Sequence, residues 1–235
     1  MAYLLRRDTQ WLPIVFAAVL LMLAGCHEIM DLPAWVPGGG PVTDDLPGIV
    51  TPGQRMARLR KLAEESSWRN AADRQIIARD LAAAYEEETD EVLRAEIVRT
   101  LSKYPGPEAE QVLRKAIQDA AAEVRLAACD GLGKLGNPEA AALLIDALES
   151  DVEVDVRLAA ARALGKCRNP AAVPALGRAL DDPDPAMQHR AMLALREVTG
   201  EDLGNDLNRW RQYVKGQPPK PAQPLSIAEK LRRIF

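Results

Sequence analysis

The chain's 235 residues include 48% hydrophobic, 27% charged and only 4% aromatic side chains, with a net charge of −4. That length suits one elongated domain or one and a half compact ones, and the Ala- and Leu-rich balance fits an all-helical fold with a thin, small-residue core. Three Cys and two His exclude a disulfide framework and a multi-histidine metal site, and the mild acidity argues against broad nucleic-acid binding, which requires phosphate-neutralising charge.

Residues 1–25 read as a signal segment outside the fold. Arg6 and Arg7 form a positive start, and Trp11–Leu23 is an apolar run without charge. The run is shorter than the roughly 20 residues a membrane span needs, and its length fits the hydrophobic part of a signal peptide. It ends in Leu23-Ala24-Gly25-Cys26, which resembles a bacterial lipobox. The resemblance implies that Cys26 is lipidated and becomes the mature N-terminus. Acyl chains contribute about 0.8 kcal/mol per buried methylene, so several on one Cys hold a soluble domain on a membrane. Without residues 1–25 the chain has 28 basic and 33 acidic side chains, a net charge of −5.

Residues 26–53 are a Pro/Gly-rich tether. Pro33, Pro37, Pro41, Pro47 and Pro52 alternate with Gly38-Gly39-Gly40, Gly48 and Gly53, a composition that forms spacers rather than packed elements. Trp35 reads as a solvated residue of that spacer. The repeat domain is expected over residues 54–215. From Gln54 a helical period begins, with Met56, Leu59 and Leu62 on one face. This is the helix that caps an open-ended stack, where one face must remain polar.

Four helix pairs are expected next. The first helices lie near 70–87, 107–120, 138–149 and 170–181, and the second helices near 90–103, 122–135, 153–166 and 185–198. The evidence is a repeat: EVRLAACDGLGKLGNPEA recurs 32 residues later as DVRLAAARALGKCRNPAA. A fixed period of that size marks a stacked-repeat architecture. Leu101, Leu132, Leu164 and Leu195 are equivalent positions, and Ala128, Ala160 and Ala191 precede the last three by four residues. Asn137-Pro138, Asn169-Pro170 and Asp184-Pro185 each place a capping side chain before a Pro at the first helical position. Pro174, early in its helix, is expected to bend it by removing one hydrogen bond.

Charge repeats as well. Glu88 precedes Arg94, Asp119 precedes Arg125 and Asp151 precedes Arg157, each by six residues. The interval spans the turn between the helices of a pair. The expectation is a ladder in which the acid caps its turn and an Arg of the next repeat reaches it. A carboxylate accepts two parallel hydrogen bonds from one guanidinium, so such rungs fix geometry as well as charge. The alternative is that these arginines bind an acidic ligand. Gln188, opposite Asp182, breaks the pattern in the last repeat.

The VRLAA and LGK segments at 124–134 and 156–166, with their Asn-Pro turns, resemble the HEAT-repeat family, and within it the bacterial branch named after phycobilisome lyases. The resemblance covers about residues 70–200. It implies a right-handed superhelix of antiparallel helix pairs, with the second helices lining a concave face that binds proteins. Some HEAT-like proteins are enzymes. Those similar to the di-iron deoxyhypusine hydroxylases carry several His-Glu pairs, whereas this chain has only His27-Glu28 in the tether and a lone His189. Lyase chemistry would need a pigment-bearing cytoplasmic target, and a HEAT-like glycosylase would need a basic groove.

Asn205–Val214 reads as a closing helix, with Trp210 and Tyr213 covering the end of the stack. Residues 216–235 are a Pro-rich spacer and a short basic amphipathic helix. Ser226 and Glu229 form its capping box, Ile227, Leu231 and Ile234 its apolar face, and Lys230, Arg232 and Arg233 its charge. Such a helix docks on a partner, on anionic lipid or on its own domain. Cys129 and Cys167 lie about six residues out of register between adjacent repeats, so they are expected as small apolar residues rather than a disulfide. Gly131, Gly133 and Gly136 are expected to serve packing and helix termination.

The sequence therefore predicts an all-α superhelical solenoid that is lipid-anchored on the extracytoplasmic side of a bacterial membrane. Its expected role is a non-catalytic scaffold for protein partners, with no cofactor, metal or nucleic acid. An accessory factor or enzyme of the lyase type, or a structural envelope lipoprotein, is the alternative. Recognition is expected where the two best copies differ, at Cys129-Asp130 against Ala161-Arg162.

Overall fold

The computed structural model describes residues 50–217. The signal segment, Cys26, Trp35, the His27-Glu28 pair, most of the tether and the C-terminal basic helix lie outside the described residues. Within them the chain forms ten α-helices and one short 3-10 helix, with no strand. The helices are α1 (Pro52–Glu65), α2 (Ala71–Glu87), α3 (Glu91–Leu101), α4 (Pro107–Ala116), α5 (Ala122–Leu135), α6 (Pro138–Ser150), α7 (Val154–Cys167), α8 (Val173–Ala179), α9 (Pro185–Thr199) and α10 (Leu207–Val214). Pro170–Ala172 is the 3-10 helix preceding α8.

Local chemistry sets the boundaries. The Asn137 side chain accepts from the Ala140 N–H at 2.8 Å, Asn169 from Ala171 at 3.0 Å and Asp184 from Ala186 at 2.8 Å. Each thereby satisfies a donor that the first helical turn leaves unpaired. Gly136 and Gly200 end α5 and α9 at φ 62° and 76°, a left-handed conformation in which a Cβ is penalised. Arg168 occupies the position equivalent to Gly136 and adopts φ 50°. Some expected boundaries differ: the helix expected near 107–120 ends at Ala116. The first helix begins at Pro52, because Thr51 and Gln54 form a capping box there. Pro174 does not bend a helix: the segment divides into the 3-10 helix and α8, and Pro174 sits in the first turn of α8, where its missing N–H costs nothing.

Two rows of helices result. The second helices pack in sequence, α3 on α5, α5 on α7 and α7 on α9, and α1 joins the row by packing on α3. The first capping helix thus occupies the place of a second helix. Thr100, the one buried polar residue among those described, donates to the Leu59 carbonyl at 3.2 Å, and the Tyr104 hydroxyl donates to that of Leu62 at 2.5 Å. These bonds satisfy α1 carbonyls and fix its seat on α3. In the other row α2 lies on α4, and the 3-10 helix and α8 follow α6. α10 packs on α8. The Trp210 ring is fully buried, and its indole N–H donates to the Gly204 carbonyl at 2.9 Å.

The core is a single layer between the rows. Leu101, Leu132, Leu164 and Leu195 are all buried, as are Ala128, Ala160 and Ala191. Small residues let the second helices approach closely. A Cβ built on Gly133 would lie 3.0 Å from the Ala163 Cβ and 3.1 Å from its Cα, and one on Gly131 would meet the Leu113 side chain at 2.4 Å. Gly133→Ala is expected to lower stability by about 1 kcal/mol. The gain of about 1 kcal/mol in helix propensity is outweighed by overpacking of about 1–3 kcal/mol. A lower urea midpoint at unchanged slope is the expected reading, and a higher midpoint would show that the contact yields freely.

Candidate functional site

The described surface has two chemically distinct edges, both built from the second helices. The first is the turn edge, where the chain passes from each first helix to its second. Counting from the helix start, the fourth residue of α1, α3, α5, α7 and α9 is Arg55, Arg94, Arg125, Arg157 and Gln188. The acid of each turn first caps its own backbone. Glu88 accepts from the Asp90 N–H, Asp119 from Ala121, Asp151 from Glu153 and Asp182 from Asp184, at 2.8–3.0 Å. The residue six positions on then donates back to that turn: Arg94 to the Glu88 carbonyl at 3.4 Å, Arg125 to that of Asp119 at 2.9 Å and Arg157 to that of Asp151 at 2.8 Å. Gln188 makes the same bond to the Asp182 carbonyl at 2.7 Å, so the last repeat keeps this half of the pattern.

The side-chain pairs run between repeats, in the direction opposite to that expected. Each carboxylate is reached by the Arg of the preceding repeat. Arg94 grips Asp119 through Nε and Nη2 at 3.2 and 3.1 Å, and Arg125 grips Asp151 at 2.7 and 2.9 Å. Arg55 of α1 pairs with Glu88. The series stops at Arg157: no ion pair joins it to Asp182 among the described residues, and its bonds go to the Asp151 and Val152 carbonyls. The break thus lies between Arg157 and Asp182.

Burial alone would raise the Asp119 and Asp151 carboxyls. The hydrogen bonds from Arg94 and Arg125, with the Ala121 and Glu153 N–H groups, outweigh it and hold both below the ordinary value of 3.8. Tyr85, absent from the sequence reading, also donates to Asp119 at 3.2 Å. Its own phenol is pushed up to about 12 by burial and by that carboxylate. A cavity of about 300 Å³ opens beside the Arg125–Asp151 pair and includes Asp119, Asp146 and Ser150 in its wall. Two of its three carboxylates are already bound by arginines and backbone N–H groups. The ladder residues are thus brought together as a tie between repeats.

The second edge is the solvent face of the second-helix row. Arg99, Asp130 and Arg162 stand at equivalent positions in α3, α5 and α7, nine residues from each start. Asp130 lies 3.5 Å from Arg162 and 3.9 Å from Lys166, while Arg99 meets Glu96 at 3.3 Å and Glu123 at 3.4 Å. Two residues beyond the buried leucines come Lys103, Lys134 and Lys166. The same register holds Glu64 in α1 and Glu197 in α9. Lys134 Nζ donates to the Ser102 hydroxyl at 2.9 Å. Burial and then the neighbouring Lys103 pull its ammonium below its ordinary value, with Lys166 adding to the effect.

The differing pairs of the two best copies divide. Cys129 and Ala161 are fully buried, so no partner reads them. Asp130 and Arg162 are on the surface and face each other. Cys129 and Cys167 are free thiols, and burial pushes the Cys129 thiol up to about 12, which suits an inert core residue. His189 is exposed on α9. Among the described residues no group of three His, Cys, Asp or Glu side chains is placed to hold a metal ion. No described helix is long and apolar enough to cross a membrane. The lysine series stands in one LSK and two LGK segments of the sequence, and reading it requires knowing which helix face is exposed.

A family model described as HEAT repeats matches residues 78–155 and 142–210. Solved structures similar to the chain include the following two. Human deoxyhypusine hydroxylase, in complex with glycerol, is 28% identical over 53% of this chain and 44% of its own, with a TM-score of 0.47. The complex of CpcE and CpcF of phycocyanin lyase from Nostoc sp. PCC7120 is 24% identical, covering 77% of this chain and 80% of that one, with a TM-score of 0.49. The chain therefore spans less than half of the hydroxylase. No curated protein matches it.

Proposed function

Because the chain belongs to the HEAT-repeat family, we propose that it is a non-catalytic scaffold which offers the solvent face of its second-helix row to a protein partner. The carrying observation is the division of charge between the two edges. At the turn edge Arg94, Arg125, Asp119 and Asp151 are consumed in holding repeat to repeat. On the second-helix face, charged side chains recur at the repeat spacing and remain in solvent, which is the form of an extended binding surface. A photo-crosslinking residue at Arg99 or Arg162 is expected to capture a partner from the cell envelope. The same residue at Gln111 or Arg79, on the first-helix row, is expected to capture none. Equal capture from both rows would sink this reading.

The anchor belongs to the same proposal. Cys26 carries the lipid that holds the scaffold on the extracytoplasmic side of a bacterial membrane, and the tether spaces it from the surface. The support is the Leu23-Ala24-Gly25-Cys26 segment at the end of the apolar run. Cys26→Ser is expected to move the protein from the membrane pellet to the soluble fraction after cell fractionation. Retention in the pellet after a carbonate wash would defeat the anchor without touching the scaffold.

A further inference from the structure

We propose that Lys103, Lys134 and Lys166 form the specificity edge of this scaffold, and that they receive an extended acidic segment of a protein partner. The inference rests on the reading that the second-helix face is the binding face, and it adds the chemistry of what binds. The three lysines hold one register position, Lys103 in the turn just past α3 and Lys134 and Lys166 in the last turns of α5 and α7, and all three are exposed. Among the described residues Lys103 has no ion pair. Lys134 has a hydroxyl and no carboxylate, and Lys166 has only Asp130 at 3.9 Å. Nearly every other cation along these three helices is already matched: Arg94, Arg99, Arg125 and Arg162 all have carboxylate partners. Among the described residues Lys103 and Lys134 thus lack a carboxylate partner, and Lys166 shares a distant one with Arg162. Burial first, and then Lys103, lowers the Lys134 ammonium.

Two further features point to the occupant. The register changes sign at both ends, to Glu64 and Glu197. A flat anionic bilayer laid along the row would meet those acids as well, whereas a short segment fits between them. Helices packed at about 8–10 Å place successive lysines about 10 Å apart. A segment in the extended polyproline II conformation has about three residues per turn and advances about 3.1 Å per residue. A carboxylate at every third position therefore recurs on one face about 9 Å apart and meets each lysine in turn. At the turn after Lys166, the exposed Arg168 holds φ 50° where the preceding repeat has Gly136. A non-glycine residue there costs about 1 kcal/mol, and it places another cation at the end of the same edge.

The test uses the full chain and a fluorescein-labelled nonapeptide with Glu at every third position and Ser elsewhere, followed by anisotropy at low salt. Wild-type protein is expected to bind it and to ignore the same peptide with Gln for Glu. The triple variant Lys103→Gln/Lys134→Gln/Lys166→Gln is expected to lose about tenfold in affinity, the sum of three exposed ion pairs. A control with the same charge change on the first-helix row, Arg79→Gln/Arg114→Gln/Lys115→Gln, is expected to bind as wild type. The lysine variant keeps its melting temperature or gains a little, because repulsion is removed. Equal losses in the two variants, or equal binding of the Glu and Gln peptides, overturn the proposal. So does binding of phosphatidylserine vesicles through the lysines without binding of the peptide. If the lysine edge fails while Arg99 and Arg162 still capture a partner, the scaffold reading stands and only this inference falls. Capture confined to the first-helix row brings down the scaffold face instead.

Discussion

Trp210→Ala is expected to lower the stability of the described domain by about 3–5 kcal/mol, the range for truncating a fully buried large aromatic. The ring has no exposure, its N–H is spent on the Gly204 carbonyl at 2.9 Å, and Tyr213 meets it edge-on at 5.9 Å between centroids. α10 also closes on α8 where Gly177 admits it: a Cβ there would lie 2.4 Å from a Val214 methyl. The variant therefore opens a cavity and orphans a carbonyl at the terminus of the stack. In a linear array each unit is supported only by its neighbours, so the loss should be partly local. Urea unfolding followed by circular dichroism should show a lower midpoint and a shallower or split transition, with the C-terminal units melting first. Trp210→Phe keeps most of the apolar volume and should cost about 1–2 kcal/mol, partly from the missing hydrogen bond. A Trp210→Ala effect below about 1 kcal/mol would mean that α10 is an appendage rather than the closing element of the core.

Arg125→Ala is expected to cost about 3 kcal/mol, near the lower end for breaking a buried ion pair by removing one partner. Its side chain is 11% exposed and that of Asp151 7%. It makes two bonds to that carboxylate and two to the Asp119 and Ala120 carbonyls. The variant would leave Asp151 with the Glu153 N–H and the nearby charge of Arg157. Arg157→Ala, which loses bonds to carbonyls only, should cost about 1–2 kcal/mol. Chemical denaturation of both variants tests the order. Equal costs would show that the carbonyl bonds, not the inter-repeat pair, carry the stabilisation.

The pair also makes a pH prediction. The Asp119 and Asp151 carboxyls are depressed in the folded chain, so the unfolded chain takes up protons first as pH falls. Their contribution is complete above about pH 5 and declines as the pH drops through the ordinary carboxylate value. It is gone below the depressed folded values. The wild-type melting temperature should therefore fall more steeply than that of Arg125→Ala below about pH 4, the two curves converging.

Much of the fold was legible because its signals are local or recur at a fixed interval. The buried leucines, the Asn-Pro caps and the small residues of the second helices all depend on positions one repeat apart, and identity across that interval exposes them. The six-residue acid-to-Arg spacing was legible for the same reason, since one turn separates its ends. The partner of each Arg was not. It lies 25 residues on for Arg94, 26 for Arg125 and 33 for Arg55, beyond a whole first helix, and the offset varies with helix and loop length. The true place of α1 was hidden as well. Its sequence lacks the VRLAA segment, and only Arg55 at its fourth position and the Thr100 and Tyr104 bonds to its carbonyls assign it to the second-helix row. The lysine edge was written in the LSK and LGK segments but masked by its ordinariness. A lysine near a helix C-terminus already has a reason to be there in the helix dipole, and only its register and missing partners separate it from that role.

The Arg rungs have a mechanical consequence. Each guanidinium fastens its own turn to the one that follows, so the turn edge behaves as a strap of nearly fixed length from α1 to α7. On the second-helix face the pairs between repeats, Arg99–Glu123 and Asp130–Arg162, are solvent-exposed and longer, so they hold it less firmly. Curvature can change there by small rotations of one helix against the next, while the strapped edge serves as the pivot. The strap lacks its final link, between Arg157 and Asp182, so the last unit is joined by packing and by the solvent-exposed Arg178–Glu149 pair of the first-helix row. Under tension or on engaging a curved partner, strain should collect at the α7–α9 junction, making it the elbow of an otherwise springlike rod.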